Sequence, residues 1–460
     1  MRGNCRGERT IGTVARLALP ALVLLMLSGC GGGGGENNSA GRNLDAAATV
    51  SASSVTTAVE ITNDTSVEIS SYDTVDLSND TVVGRENLLS SAVRTTAPAP
   101  AAQFPVMVDQ QGVFMSAVKA DGGSFYACYN QTGSPYLMFA KSDDNGTSWS
   151  YSTIDFGGIY ASLTIEGNSI YVGYIDQSWK TLKFARSDDR GNSWSITEVD
   201  TTLKSDPATR PDNTDPTKPV TPADFKYTAI VRTGASFFMA YQDRAHKSLK
   251  LARSLDNGAT WSCMTMDASD DNDGDSPSMA VAGTNIYISY NGVKGTGLSA
   301  KDNVYMMVSK NSGTTWTKRL VAASSFASGY YTSVAASGAQ VYVSYFNALD
   351  RTLKFAKSTN NGTKWVIKTV DNSSNVGRYS SLSLSQGTLF LSYNDGTNNS
   401  LKVAKSTNGG TKWSTRAVVS NAGLCCPSVS SAVGLDLYML YFNYNPNTPG
   451  TTGAMLTKTS

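Results

Sequence analysis

The sequence predicts an all-β chain, a seven-bladed β-propeller of four-stranded antiparallel blades whose last blade is closed by an N-terminal strand. Three observations predict it. First, the turn motif S-x-[D/N]-x-G-x-x-W recurs six times, at Ser142–Trp149, Ser187–Trp194, Ser254–Trp261, Ser309–Trp316, Ser358–Trp365 and Ser406–Trp413. These boxes take six of the chain's seven tryptophans, and such self-similarity marks a repeat architecture. Second, a strand pattern ending in tyrosine recurs seven times, at Tyr129, Tyr174, Tyr241, Tyr290, Tyr345, Tyr393 and Tyr441. Third, the seventh unit stops near Ser460 without a fourth strand, while Phe104–Asp109 reads like Val366–Asp371, the fourth strand of the fifth unit. The early segment is therefore expected to complete the last blade and close the ring, leaving only short edges.

Within each unit the strands are short and alternate with period two. Ile170–Tyr174, Leu182–Arg186 and Ser195–Val199 flank a polar loop and a box and illustrate the pattern. In the box, glycine supplies the permissive dihedral, and the Asp or Asn oxygen and the serine hydroxyl satisfy amides of their own turn. Asn311, Asn360 and Asn408 keep a carbonyl acceptor, so their turns are expected to survive. The tryptophans cap the hairpins. The boxes thus read as structural staples rather than as a site.

The boxes resemble the Asp-boxes (BNR repeats) of the sialidase superfamily, over about residues 104–460. In that family they lie between the third and fourth strands of a blade, away from the catalytic face. The family's propellers have six blades, so seven is a departure. The resemblance also implies an arginine triad, a tyrosine nucleophile activated by glutamate, an aspartate acid/base and an F/Y-R-I-P motif. That motif is absent; Arg210-Pro211 is its nearest echo. Beyond residue 100 only Glu166 and Glu198 remain, one in a turn on the box face and one on an outer strand, and neither is placed to activate a tyrosine. No residue is therefore assigned as catalytic, and the expected activity is binding of a glycan or a protein partner. The alternative is a diverged glycoside hydrolase of exo-sialidase type acting on extracellular glycans. An inverting pair drawn from Asp243, Asp275, Asp350 and Asp395 would serve it.

Before the repeats, residues 1–29 read as a signal peptide, with Arg2, Arg6, Arg9 and Arg16 ahead of an apolar run from Leu17 to Leu27. Leu27-Ser28-Gly29-Cys30 resembles a bacterial lipobox, which implies lipidation of Cys30 and, with Gly31 following, an outer-membrane lipoprotein facing the periplasm or the exterior. Residues 30–103 are rich in small and polar residues and are expected to form a tether, reaching roughly 45 Å as a random coil. The 16% charged residues and formal net charge of +1 offer no basic face for nucleic acid. A monomer is expected. Cys425 and Cys426 are open to a vicinal disulfide, or one of them to pairing with Cys128; Cys263 reads as a buried free thiol.

Loops between blades, and loops between second and third strands, share the face opposite the boxes. Aligned at the start of each innermost strand are Phe114, Tyr160, Tyr227, Ser276, Tyr331, Tyr379 and Cys426. The five rings make an aromatic collar that either stacks on a sugar or fills the taper between blades. The loops between second and third strands add Asp176, Trp179, Asp243, Arg244, His246, Lys294, Asp350, Arg351 and Asp395. Arg378, Arg244 and Arg351 form a potential anion clamp. With a single histidine in the chain, most general-base schemes are unavailable. Residues 201–225 read as a lid or rim. In the acidic run 267–275, Asp271, Asp273 and Asp275 alternate as at the start of a calcium loop, without the closing glutamate. That run reads either as a calcium site, the one cofactor considered, or as a solvated acidic turn.

Overall fold

In a computed structural model the described residues are 11–12, 26–27, 58–61, 65–68, 94–95, 104–110, 113–131, 134–176, 181–203, 228–244, 246–270, 272–295, 301–323, 328–420, 429–443 and 453–459. The chain divides into two units, Met1–Ala101 and Ala102–Ser460. In the first, Ala58–Ile61 pairs antiparallel with Thr65–Glu68, which also pairs with Arg94–Thr95, and Ile11–Gly12 pairs with Met26–Leu27. No helix among the described residues is long and apolar enough to cross a membrane. Cys30 and most of the expected tether lie outside the described residues.

The second unit is the expected propeller, seven four-stranded antiparallel sheets. Six follow chain order from the innermost strand outward; the first of them runs Val113–Asp121, Ser124–Gln131, Tyr136–Ser142 and Ser150–Phe156. The seventh is Val429–Val433, Asp436–Asn443 and Gly453–Lys458, with Val106–Asp109 as its outermost strand. Ala454 faces Asp109, Met455 faces Met107 and Leu456 faces Val106, so the early segment zips onto the chain's last strand. Each innermost strand contacts the next around the ring, including Val429–Val433 against Val113–Asp121. Between neighbouring blades lie separate apolar clusters. One joins Val108, Phe125, Tyr129, Leu440 and Leu456 across the closure.

Every box forms as expected between third and fourth strands. The Gly146 amide donates to Ser142 Oγ at 2.9 Å, Ser142 Oγ donates to Asp144 Oδ1 at 2.8 Å, and the Ser148 amide donates to the same oxygen at 2.9 Å. The asparagine boxes keep the last bond, from Thr315, Lys364 and Lys412 to Asn311, Asn360 and Asn408, at 2.9 Å each. The boxes also do more than cap hairpins. Trp194 packs edge-on to Phe139 of the preceding blade at 5.2 Å, and Trp413 does the same to Phe355 at 5.0 Å. Gly191, at φ +88°, has the Phe139 ring where a Cβ would stand. Each box is thus a joint between blades. Gly191→Ala is expected to destabilise the propeller by about 2–4 kcal/mol in urea unfolding, through backbone strain and overpacking together.

A second joint lies on the opposite face. The tyrosine ending a second strand donates its hydroxyl to an aspartate ending the previous blade's outermost strand. The pairs are Tyr129 to Asp109, Tyr174 to Asp155 and Tyr393 to Asp371 at 2.8 Å, and Tyr241 to Asp200 and Tyr290 to Asp267 at 2.5 Å. Third-strand lysines join them, Lys183 at 2.9 Å from Asp155 and Lys250 and Lys402 at 2.5 Å from Asp200 and Asp371. Burial pushes the Asp200 carboxyl up, but hydrogen bonds from Lys250, Thr202 and Tyr241 outweigh it and hold the group at about 2.

Candidate functional site

The face opposite the boxes is built by a bulge repeated at the start of the innermost strands. Pairing with the second strand skips from Ile159 to Ser162, from Asp275 to Ser278, from Tyr330 to Ser333 and from Arg378 to Ser381. The first residue skipped takes a left-handed conformation: Tyr160 at φ +55°, Ser276 at +50°, Tyr331 at +60° and Tyr379 at +54°. Such angles are outliers for bulky side chains and persist only where the surroundings enforce them. The enforcement is visible. The next residue in the following blade hydrogen-bonds to the carbonyl of the bulged one: Thr228 Oγ1 to Tyr160 O at 2.5 Å, Thr332 Oγ1 to Ser276 O at 2.7 Å, and Ser380 Oγ to Tyr331 O at 3.1 Å.

This register corrects one assignment. Phe114 pairs with Asn130, the residue after Tyr129, which puts it level with Ile159, Asp275, Tyr330 and Arg378. Met115, not Phe114, occupies the bulged position of the first blade, because the two skipped residues shift any count made along the strand. Tyr227 and Trp179 lie outside the described residues.

The remaining collar rings part company. Tyr160 is 5% exposed and belongs to the core between the second and third blades, so it fills the taper. Tyr331 and Tyr379 are half-buried, with ring centroids 4.4 Å apart at 51°. Phe346 extends the pair, 6.5 Å from Tyr331, and the exposed Arg378 lays its guanidinium over Phe346 at 5.4 Å. Arg351 is exposed nearby, its carbonyl accepting the Val376 amide at 3.1 Å. Two rings, a third behind them and two arginines therefore gather where the fifth and sixth blades meet. Phe346 had drawn no attention in the sequence, although it directly follows the second-strand Tyr345.

Arg244 belongs to the third blade and is drawn to a different, acidic group, where it acts on Asp275. Asp243 is 3% exposed rather than solvated: its Oδ1 accepts the His246 amide at 3.2 Å and its Oδ2 lies 2.8 Å from His246 Nδ1. Asp395 caps the equivalent turn of the sixth blade, accepting the Thr397 amide at 3.1 Å and the Asn398 amide at 3.0 Å.

The acidic run is not a solvated turn either. Asn272–Ala282 is the innermost strand of the fourth blade, and pairing with Asn285–Lys294 buries Asp273 completely and Asp275 to 5% exposure. Asp271 lies outside the described residues, among which no group of three His, Cys, Asp or Glu side chains is arranged to hold a metal ion. Burial raises the Asp273 carboxyl to about 6 and the Asp275 carboxyl to about 7, the latter opposed by the Ser276 hydroxyl at 3.1 Å and by Arg244. A carboxyl raised on folding weakens the fold as pH climbs from its unfolded value near 3.9 to its folded value. Asp275→Asn is therefore expected to stabilise the propeller by a few kcal/mol at pH 8 and by little at pH 4, read from urea midpoints at both.

Cys128 is a buried free thiol, and Cys425 and Cys426, with the pairings open to them, lie outside the described residues. Cys263 is free but exposed, not buried, because it sits on an outermost strand with one open face. Glu166 pairs with Arg232 on the box face.

No protein-family model matches the chain, and no curated protein matches it. Solved structures to which it is similar include a Hadza microbial sialidase, Hz136, at 12% identity over 73% of this chain and 76% of that one, TM-score 0.43. AofleA from Arthrobotrys oligospora is 14% identical over 68% of this chain and 87% of that one, TM-score 0.43. An alpha-L-arabinanase of Penicillium chrysogenum, solved with arabinobiose, is 10% identical over 78% of this chain and 99% of that one, TM-score 0.42.

Proposed function

We propose that this chain is a lipid-anchored envelope protein whose propeller binds a glycan at the channel mouth without turning it over. One observation carries the reading: the half-buried pair Tyr331 and Tyr379, 4.4 Å apart, beside the exposed guanidinium of Arg378. Half-exposed rings offer a face for the apolar side of a sugar, and a planar cation beside them offers paired donors for hydroxyls or a carboxylate. A protein partner would use the same rings and arginine as anchors. The anchor rests on Leu27-Ser28-Gly29-Cys30. Expressed in bacteria, the chain is expected to incorporate labelled palmitate, and Cys30→Ser to lose the label.

A second reading has a specific observation in its favour. Asp275, held up at about 7 directly before the bulged Ser276, is a carboxyl suited to donate a proton near neutral pH. A diverged glycoside hydrolase would use it as general acid. Incubating the full-length chain with sialyl and neutral fluorogenic glycosides, beside a glycan array, separates the two. Array binding with no released fluorophore supports the binding protein. Turnover that disappears in Asp275→Asn supports the hydrolase and retires our preference.

A further inference from the structure

The central channel encloses a cavity of about 340 Å³, lined by the innermost strands of all seven blades. Its lining contains one charged side chain, Lys119, and no carboxylate. The level is unusual for a cation. Equivalent by register are Thr164, Val231, Ala280, Ala335, Ser383 and Ser431. Lys119 is solvent-accessible and lines the channel, where enclosure by the surrounding strands lowers its ammonium pKa. No hydrogen bond or ion pair joins it to another described side chain.

The lining serines are hydrogen-bonded in one direction. Ser278, Ser333, Ser381 and Ser431 each accept a backbone amide of the following blade, from Val334 at 3.2 Å, Leu382 at 3.0 Å, Ser430 at 3.2 Å and Ala120 at 3.1 Å. A hydroxyl that accepts in this way still has its own hydrogen to give. None of the four gives it to another described residue. The cavity therefore presents an ammonium and four hydroxyl donors, with no opposing carboxylate. A confined cation without a counter-charge is costly, and its complement is an anion that accepts several hydrogen bonds.

We infer that the central channel is a second binding site, selective for a small oxyanion, a carboxylate or phosphate of monosaccharide size or less, held by Lys119 and the serine ring. The volume sits at the lower end of the small-molecule range. The channel adjoins the proposed glycan face, sharing Tyr379 with it, while Tyr331 and Arg378 are absent from the channel lining.

Calorimetric titration of the full-length chain at constant ionic strength tests it, with sodium glucuronate, inorganic phosphate and glucose as probes. Saturable binding of glucuronate or phosphate, and none of glucose, is expected; the two anions distinguish a carboxylate source from a phosphate source. Lys119→Met is expected to weaken binding at least roughly tenfold and Lys119→Arg by less than about threefold. Lys119→Met is expected to leave binding on the glycan array unchanged, which separates failure here from failure of the glycan reading, since Lys119 is no part of the Tyr331, Tyr379 and Arg378 group. Without anion, Lys119→Met should unfold at a higher temperature than the parent, since a confined charge has been removed. Should Lys119→Met not fold, Ser333→Ala with Ser381→Ala takes its place, again with weakened binding expected. Absence of saturable binding by both anions, equal binding of glucose, or undiminished affinity in the folded variants would overturn the proposal.

Discussion

Removing residues 104–109 is expected to lower the propeller's stability by more than about 5 kcal/mol, or to abolish its cooperative unfolding. The segment is short, but its contacts are central. Val108 is 1% exposed in the cluster shared with Phe125, Leu440 and Leu456. Asp109 accepts the Tyr129 hydroxyl and the Gln131 amide nitrogen, both at 2.8 Å, and the Val108 carbonyl accepts Tyr151 Oη at 2.9 Å. Deletion would bare the Gly453–Lys458 edge and leave the buried Tyr129 hydroxyl without its acceptor, a loss worth about 1–3 kcal/mol by itself. Val108→Ala, which only makes a small cavity, should cost far less, about 1–2 kcal/mol. Urea unfolding followed by tryptophan fluorescence ranks the two. A deletion whose midpoint matches the parent's would mean that the ring does not depend on its closing strand.

Tyr331→Ala combined with Tyr379→Ala is expected to reduce glycan affinity about 100-fold, equivalent to about 3 kcal/mol. Both rings are half-buried, and truncating them removes stacking area and the 4.4 Å contact that holds each in place. Tyr160→Phe is the control. That ring lies between blades, so its variant should bind as the parent does. Arg378→Ala is expected to cost roughly tenfold, the worth of a charge-assisted hydrogen bond. Binding by the double variant at parental strength would remove the rings from the site. Loss of affinity in Tyr160→Phe alone would move the site toward the second blade.

The blade count was legible because each unit repeats its own punctuation: a tyrosine ending the second strand, a serine opening the box, a tryptophan closing it. Even the closing strand could be read, since Phe104–Asp109 echoes Val366–Asp371. Contacts between units were harder. Asp155, Asp200, Asp267 and Asp371 each fall six residues after a box tryptophan, a visible regularity. Nothing local says that their partners are tyrosines of the next blade, because that pairing comes from the curvature of the ring. The same holds for Gly191 beneath Phe139. Phe114 was misplaced because a bulge changes the count without changing the composition. Residues 267–275 look like a polar loop by every local measure, yet Asp273 and Asp275 are buried by what pairs with and covers them. Among the collar rings, periodicity treats Tyr160 and Tyr331 alike; only their neighbours separate a filler from an exposed face.

The placement of Val106–Asp109 has a mechanical side. It is the first propeller strand after the stretch leading from Cys30, so any pull on that stretch reaches this strand before the other sheets feel load. Its ladder to Gly453–Lys458 is only a few residues long, and no described disulfide reinforces it. Under tension it would act as a fuse, peeling first and opening the ring at the seam it closes.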